Sequence, residues 1–253
     1  MKITIITAVY NRAGTVGQAA ESVLSQTHRE IEHLVQDGGS TDGTPDVLRA
    51  IGDARMDIVS APDGGIYDAL NRAIARATGE VVGLVHSDDF LAHRRVLERV
   101  AAAFADPAVD GVYGDLDYVS AADPSRVIRH WRAGTYAPGR LRHGWMPPHP
   151  TLYLRRAVFE RWGGYDTSYR IAADYEAMLR WLVRGRLRLA YLPEVMVKMR
   201  MGGESNGSLR RMMSKSREDY RAMRAHSVGG AVTLTMKNAS KLSQFLPLRG
   251  AAT

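Results

Sequence analysis

Four short apolar runs rich in β-branched residues, Ile3–Val9, Ile31–Val35, Met56–Ser60 and Val81–Val85, alternate with stretches whose apolar residues recur at helical spacing, such as Val16, Ala20, Val23 and Leu24. Few folds accept that alternation. Strands that are apolar on both faces need cover on both, and the intervening helices supply it. The pattern therefore predicts an α/β fold, a mostly parallel sheet with helices on each side. Ligands in such sheets collect beyond the carboxyl ends of the strands, where loops and helix N-termini converge. Every chemically informative segment falls at such an end: Tyr10-Asn11-Arg12, Asp37–Gly43, Asp63-Gly64-Gly65 and Asp88-Asp89.

The 253 residues are 45% hydrophobic and 24% charged, which suits one sizeable core and argues against disorder along the chain. Cys is absent, excluding a disulfide framework and thiolate metal centres. The apolar opening, Met1–Thr7, is too short for a secretory leader, and no stretch approaches the roughly 20 apolar residues of a spanning helix. A cytoplasmic protein is expected, or one held at a membrane from one side. Net charge is +7 but unevenly divided, with −9 over residues 1–124 and +16 over residues 125–253. The basic residues are scattered through helix and strand patterns without any nucleic-acid-binding signature. Substrate phosphates or an anionic membrane surface explain them better than nucleic acid.

The run Glu80–Phe90 reads as a strand that ends in two adjacent acids, Asp88 and Asp89. Such a pair either caps a helix or holds a hard cation such as Mg²⁺ or Mn²⁺, which takes carboxylate oxygens and completes its shell with substrate phosphates. In the loop Asp37–Gly43, Gly38 and Gly39 allow close backbone approach to a ligand. Ser40 and Thr41 offer hydroxyls, and Asp42 is placed to cap a helix beginning near Thr44-Pro45. The loop lacks the Gly-Lys-Ser/Thr of a P-loop, and no Gly-x-Gly-x-x-Gly follows the first strand. Taken alone, it is equally a tight turn with a helix cap. Beyond residue 110, Val109–Asp117 and Val127–Trp131 read as strands, and Ala133–Pro150 as an aperiodic loop over or beside the site. Extended segments at Thr151–Leu154 and Leu187–Tyr191 then alternate with helices over Arg156–Trp162 and Ala173–Val183.

Together, Thr7–Arg12, Ser22–Thr27, Asp37–Thr44, Gly79-Glu80 and Ser87-Asp88-Asp89 resemble, in this order, the inverting family-2 glycosyltransferases of GT-A fold. The stretch Asp63-Gly64-Gly65-Ile66-Tyr67-Asp68-Ala69-Leu70-Asn71 is further similar to the branch that builds bacterial O-antigen and exopolysaccharide units. The resemblance implies a GT-A domain over residues 1–207, with a nucleotide-sugar half at 1–117 and an acceptor half at 118–207. It implies Ala8, Tyr10 and Arg12 in the nucleoside pocket, Asp37 as partner of the base, and Gly39, Ser40 and Asp63 as further donor contacts. Asp89 would bind Mn²⁺ or Mg²⁺ directly, with Asp88 on the metal or the sugar. Ile171–Glu176 resembles the segment that carries the base, which would make Asp174 that base; a helix N-cap is its plainer role. Many members have Asp-Asp-Gly-Ser where this chain has Asp37-Gly38-Gly39-Ser40, which leaves open which side chain reads the nucleobase.

The reaction so implied moves a sugar from a nucleotide diphosphate, most commonly UDP, to a saccharide or polyprenyl-linked acceptor. One carboxylate site serves the leaving group and another, across the sugar, serves the attacking hydroxyl. His149 and Arg200 are expected near the acceptor or the diphosphate. One rival is a sugar-nucleotide pyrophosphorylase, but Thr7–Arg12 lacks that class's glycines. The other is a degenerate transferase that binds a nucleotide sugar without catalysis, against which Asp37, Asp88, Asp89 and Asp174 stand together. Residues 208–253 read as a basic amphipathic helical tail, with Val232, Met236, Ala239, Leu242, Phe245 and Leu246 in a stripe opposite Lys237 and Lys241. Such a tail either packs on the domain or makes peripheral contact with an anionic membrane at its cytoplasmic face.

Overall fold

The computed structural model describes residues 1–201 and 209–243. Four parallel strands, β1 (Ile3–Val9), β2 (Ile31–Asp37), β3 (Met56–Ser60) and β4 (Val81–Leu84), lie in the order β3-β2-β1-β4. They are linked by α1 (Ala13–Leu24), α2 (Thr44–Ile51) and α3 (Ile66–Arg76). The chain continues through β5 (Phe90–Leu91), α4 (Val96–Ala103), β6 (Gly111–Val119) and β7 (Val127–Trp131). After two 3₁₀ turns come β8 (Tyr153–Arg155), α5 (Arg156–Trp162), α6 (Ala173–Leu179) with a π-helical turn at Arg180–Arg184, and β9 (Leu189–Arg200). β8 runs antiparallel between β4 and β6, so β6 again points with β4, and β9 lies parallel beside β6. β7 hangs from β6 and β5 closes on β9, giving one nine-stranded sheet. This is the expected mixed α/β architecture.

All seven residues of β1 are buried because the sheet is covered on both faces. Period two divides them: Ile6 and Ala8 join Val82, Leu84 and the inner face of α3, while Ile3 and Ile5 join Val81, Val85 and α4. The first core also takes in α6, Tyr165 and Trp181 from the second half of the chain, so both halves share one interior. Burying a Leu- or Ile-sized side chain contributes about 1.5–3 kcal/mol. These two layers are what fix the loops beyond the strand ends.

Two differences from the sequence reading concern the second half. The extended segment expected at Leu187–Tyr191 is the start of a twelve-residue strand that ends at Arg200, so Arg200 belongs to β9 rather than following it. The expected tail begins with α7 (Leu209–Ala225), which buries Ala222 and Met223 in the same core as α6, and continues as α8 (Ala231–Ser243). On α8, Val232, Met236 and Ala239 do face solvent, but Lys237 is buried and pairs with Asp219 at 2.8 Å instead of forming a solvated basic face. Phe245 and Leu246 lie outside the described residues, as do the side chains of Lys241 and Leu242. Among the described residues no helix is long and apolar enough to cross a membrane.

Candidate active site

Beyond the ends of β1 and β2, two loops lace into one cradle. The Asn11 N–H donates to Ser40 Oγ at 2.7 Å and Asn11 Oδ1 accepts from the Thr41 N–H at 2.9 Å. Arg12 and Ala13 donate their N–H groups to Thr44 Oγ1 and Asp42 Oδ2 at 2.8 and 3.0 Å. Asp42 thus ties the start of α2 to the start of α1, which a tight turn with a helix cap alone would not require. Ala8 is buried beneath the cradle, and Arg12 is half-buried, with its guanidinium on the Asn11 carbonyl. Tyr10 stands at its rim with 60% of its surface exposed, an unusual degree for a ring that has a core beside it.

Asp37 is completely buried, with Oδ1 accepting from the Ser40 hydroxyl and Oδ2 from the Ser60 hydroxyl. Its oxygens brace the loop from inside, so the open end of the cradle is faced by a different acid, Asp63. A Cβ on Gly38 would stand 2.9 Å from Asp63 Oδ2. The absence of a side chain at position 38 is what admits the Asp63 carboxylate there. Asp63 Oδ1 accepts from the Gly65 N–H at 2.8 Å, and Gly65 (φ +110°) makes the turn into α3 that few other residues could make. Gly39, at φ +84°, lies against Pro62.

At the end of β4, Asp89 is 1% exposed. Its Oδ1 accepts from the Arg200 N–H at 3.1 Å, while Oδ2 is buried without a partner. Burial, and then the charge of Asp88, push the Asp89 carboxyl well above the usual carboxylate range against the pull of Arg200. An orphaned carboxylate oxygen beside a second acid fits a divalent cation, which would supply the missing partner. Among the described residues no three His, Cys, Asp or Glu side chains converge to hold a metal by themselves. The Arg200 guanidinium donates to the Asp88 carbonyl and to Gln18 Oε1, and lies over the Phe90 ring. It therefore clamps the acid turn.

Asp174 lies in the first turn of α6, and the N-cap is Ala172. Tyr67 of α3 donates to Asp174 Oδ1 at 3.3 Å and to the Ile171 carbonyl at 2.8 Å. Burial would raise the Asp174 carboxyl, but His149, Lys215 and Lys237 around it more than reverse that and hold it below the usual range. His149 is buried, its Nε2 within 2.9 Å of the Tyr165 hydroxyl, and burial lowers it to about 4. It is a buried neighbour of Asp174. His86, 6.0 Å from His149 between ring centres, is lowered by burial while the charges of both Asp88 and Asp174 pull it upward. His86 thus feels the charge of both acid sites.

Tyr67, His86, Tyr165 and Asn71 were not singled out as site residues from sequence. Asn71 clamps the backbone of Tyr165 through two 2.8 Å hydrogen bonds. A signal for two of them was present: Tyr67 and Asn71 stand four apart in the Asp63–Asn71 motif, which puts both on one face of a helix.

A mostly parallel sheet covered by helices on both faces, with an acid pair just beyond the end of β4, is the architecture of GT-A-type glycosyltransferases. Solved structures share that fold: a mannosyltransferase of Pyrobaculum calidifontis in complex with GDP-Man and Mn²⁺ superposes with a TM-score of 0.66 at 21% identity, covering 96% of this chain and 74% of its own. Staphylococcus aureus TarS in complex with UDP-GlcNAc gives 0.65 at 21% identity, over 90% of this chain and 66% of that one. Residues 4–170 match the family model described as Glycosyl transferase family 2, and the chain belongs to that family. A Mycobacterium tuberculosis PGL/p-HBAD biosynthesis glycosyltransferase is 31% identical over 208 residues, 80% of this chain and 78% of the relative. A glycosyltransferase of Nostoc is 33% identical over 69% of this chain and 57% of its own length. The protein is an enzyme of the glycosyltransferase class.

Proposed function

We propose that this glycosyltransferase moves a sugar, with inversion, from a nucleotide diphosphate to a hydroxyl of a saccharide or polyprenyl-linked acceptor. The observation that carries the reading is the pair of dissimilar acids, Asp89 with an orphaned oxygen and raised pKa and Asp174 with a depressed one, with His86 under the charge of Asp88 and of Asp174. Asp88 and Asp89 would hold Mn²⁺ or Mg²⁺, which neutralises charge building on a diphosphate leaving group. Asp174, kept ionised by its surroundings, takes the proton from the acceptor hydroxyl as that oxygen attacks the anomeric carbon from the far side. Tyr10 stacks on the nucleobase and Asp63 faces its edge. UDP is the expected carrier, although one fold neighbour binds GDP-Man and another UDP-GlcNAc. The resemblance of Asp63–Asn71 to O-antigen and exopolysaccharide enzymes supports a role in surface polysaccharide synthesis, and the outward-facing Val232 and Met236 support peripheral contact with the membrane that would carry a lipid-linked acceptor. Equal sedimentation of wild type and V232E/M236E with anionic vesicles would remove that last element.

The test is calorimetric titration of UDP, GDP and dTDP into wild type and Asp89→Ala, with Mn²⁺ and with EDTA. One nucleotide should bind, and the binding should disappear on chelation and in the variant. If none binds under any condition, the donor site is elsewhere and the reading fails.

A further inference from the structure

Helix α6 starts after Ala172, whose side chain can accept nothing. The backbone leading into it, from Arg170 to Ala172, is held instead from α7, more than 40 residues downstream. Glu218, on α7, accepts three consecutive backbone N–H groups: Arg170 at 3.1 Å on Oε1, and Ile171 and Ala172 at 2.8 and 2.9 Å on Oε2. A carboxylate there also meets the positive end of the helix.

Its neighbours on α7 and α8 converge on the same stretch. Asp219 pairs with Lys237, whose ammonium lies 3.1 Å from the centre of the Tyr175 ring, directly after Asp174. Arg221 reaches Ser168 Oγ at 2.7 Å and lies 4.1 Å over the Tyr169 ring. His226 Nε2 is 2.8 Å from Glu176 Oε1. Residues on both sides of Asp174 are therefore held by the two C-terminal helices, while Tyr67 holds Ile171 and Asp174 from the donor side.

From this convergence we infer that Glu218 is a positioning residue for Asp174, and that α7 belongs to the working part of the enzyme. The inference rests on Asp174 being the base. Glu218 touches no reacting atom; it sets the backbone two residues before the carboxylate, and a misplacement of about 1 Å at a catalytic group costs on the order of a hundredfold in rate.

The experiment compares full-length wild type, E218A, E218Q, M223A and D174N. Met223 is buried on the same helix and controls for loose packing of α7. Two quantities are measured: amide hydrogen exchange over residues 170–174, and nucleoside diphosphate release from UDP-glucose or GDP-mannose, whichever nucleotide the titration selects. E218A should exchange at least about tenfold faster at 170–174 and lose about 30-fold or more in kcat, with donor KM within about twofold. E218Q keeps an acceptor oxygen and should recover most of both. M223A should lower Tm without the local exchange change or the kcat loss. Unchanged exchange or kcat in E218A beside an inactive D174N overturns the role of Glu218 alone, as does a loss that M223A reproduces at equal Tm or one that falls in KM. Wild-type turnover by D174N overturns the base assignment itself, and the inference with it.

Discussion

The two acid sites are made of the same side chain and end in opposite states. Asp89 is buried beside another acid, and the cation nearest to it, Arg200, spends its guanidinium on a carbonyl and an amide. Asp174 is half-buried, but the charges of Lys215 and Lys237 act on it and Tyr67 donates to it, while His149 adds charge only when it is protonated, toward pH 4. One carboxylate is left wanting a positive partner and the other is supplied with several. Burial alone does not set an acid's role, since it raises both; what differs is whether the fold provides compensating charge or leaves it to a ligand.

The largest test of that contrast is Asp174→Asn, which removes the proposed proton acceptor and leaves the Asp88-Asp89 side untouched. Turnover should fall by about 10²–10⁴-fold with nucleotide affinity unchanged, measured by steady-state kinetics and calorimetry. A parallel loss of nucleotide affinity would mean that the two sites are not separable.

Next in size is the pH dependence of stability on the Asp174 side. His149 is neutral in the fold, lowered by burial to about 4, and protonates near 6.5 when the chain unfolds. The unfolded state therefore binds more protons between those values, and the contribution is complete above pH 6.5 and lost as pH falls toward 4. In His149→Gln, which keeps a polar group for Tyr165, the loss of unfolding free energy between pH 7 and 4.5 should be smaller than in wild type by about 2 kcal/mol. Identical slopes in urea titrations at the two pH values would show that His149 is not held neutral. His33, likewise lowered to about 4 by burial, adds the same slope to both proteins and cancels in the comparison.

On the other side, Asp89→Asn should raise the metal-free protein's stability by about 1 kcal/mol, because a neutral amide costs less to bury than a carboxylate and no longer opposes Asp88. It should also abolish the rise in Tm that Mn²⁺ gives wild type. A variant less stable than wild type without metal would mean that Asp89 is already satisfied. The smallest effect is expected for Tyr67→Phe, which removes one hydrogen bond to the Asp174 segment and should lower kcat about fivefold, roughly 1 kcal/mol. No change would leave Glu218 and the basic residues as the whole support of the segment.

Much of this was legible in the sequence because it is local. The alternation of Ile3–Val9 and its successors with helical spacing is a nearest-neighbour property, as is the turn chemistry of Asp37–Gly43. Asp88-Asp89 was readable as a candidate for the same reason, whereas Asp174 became one only through the resemblance of Ile171–Glu176 to a family segment. Less legible were the partners: Tyr67 with Asp174 spans 107 residues, Arg200 with Asp88 spans 112, and Glu218 reaches back across 46. No periodicity links such positions. The basic tail illustrates the cost, because Lys237 reads as a solvated face and turns out to be buried under Tyr175.

By itself, then, the sequence determined the parallel α/β frame, the loops at its strand ends, and which residues carry acids there, since backbone propensity and side-chain period act over a few residues. Only the tertiary structure decided which acid meets compensating charge and which is left without it. Ionisation depends on desolvation and on charges within several ångströms, and both are set by β9, α6, α7 and α8 folding back onto strand ends laid down more than 80 residues earlier.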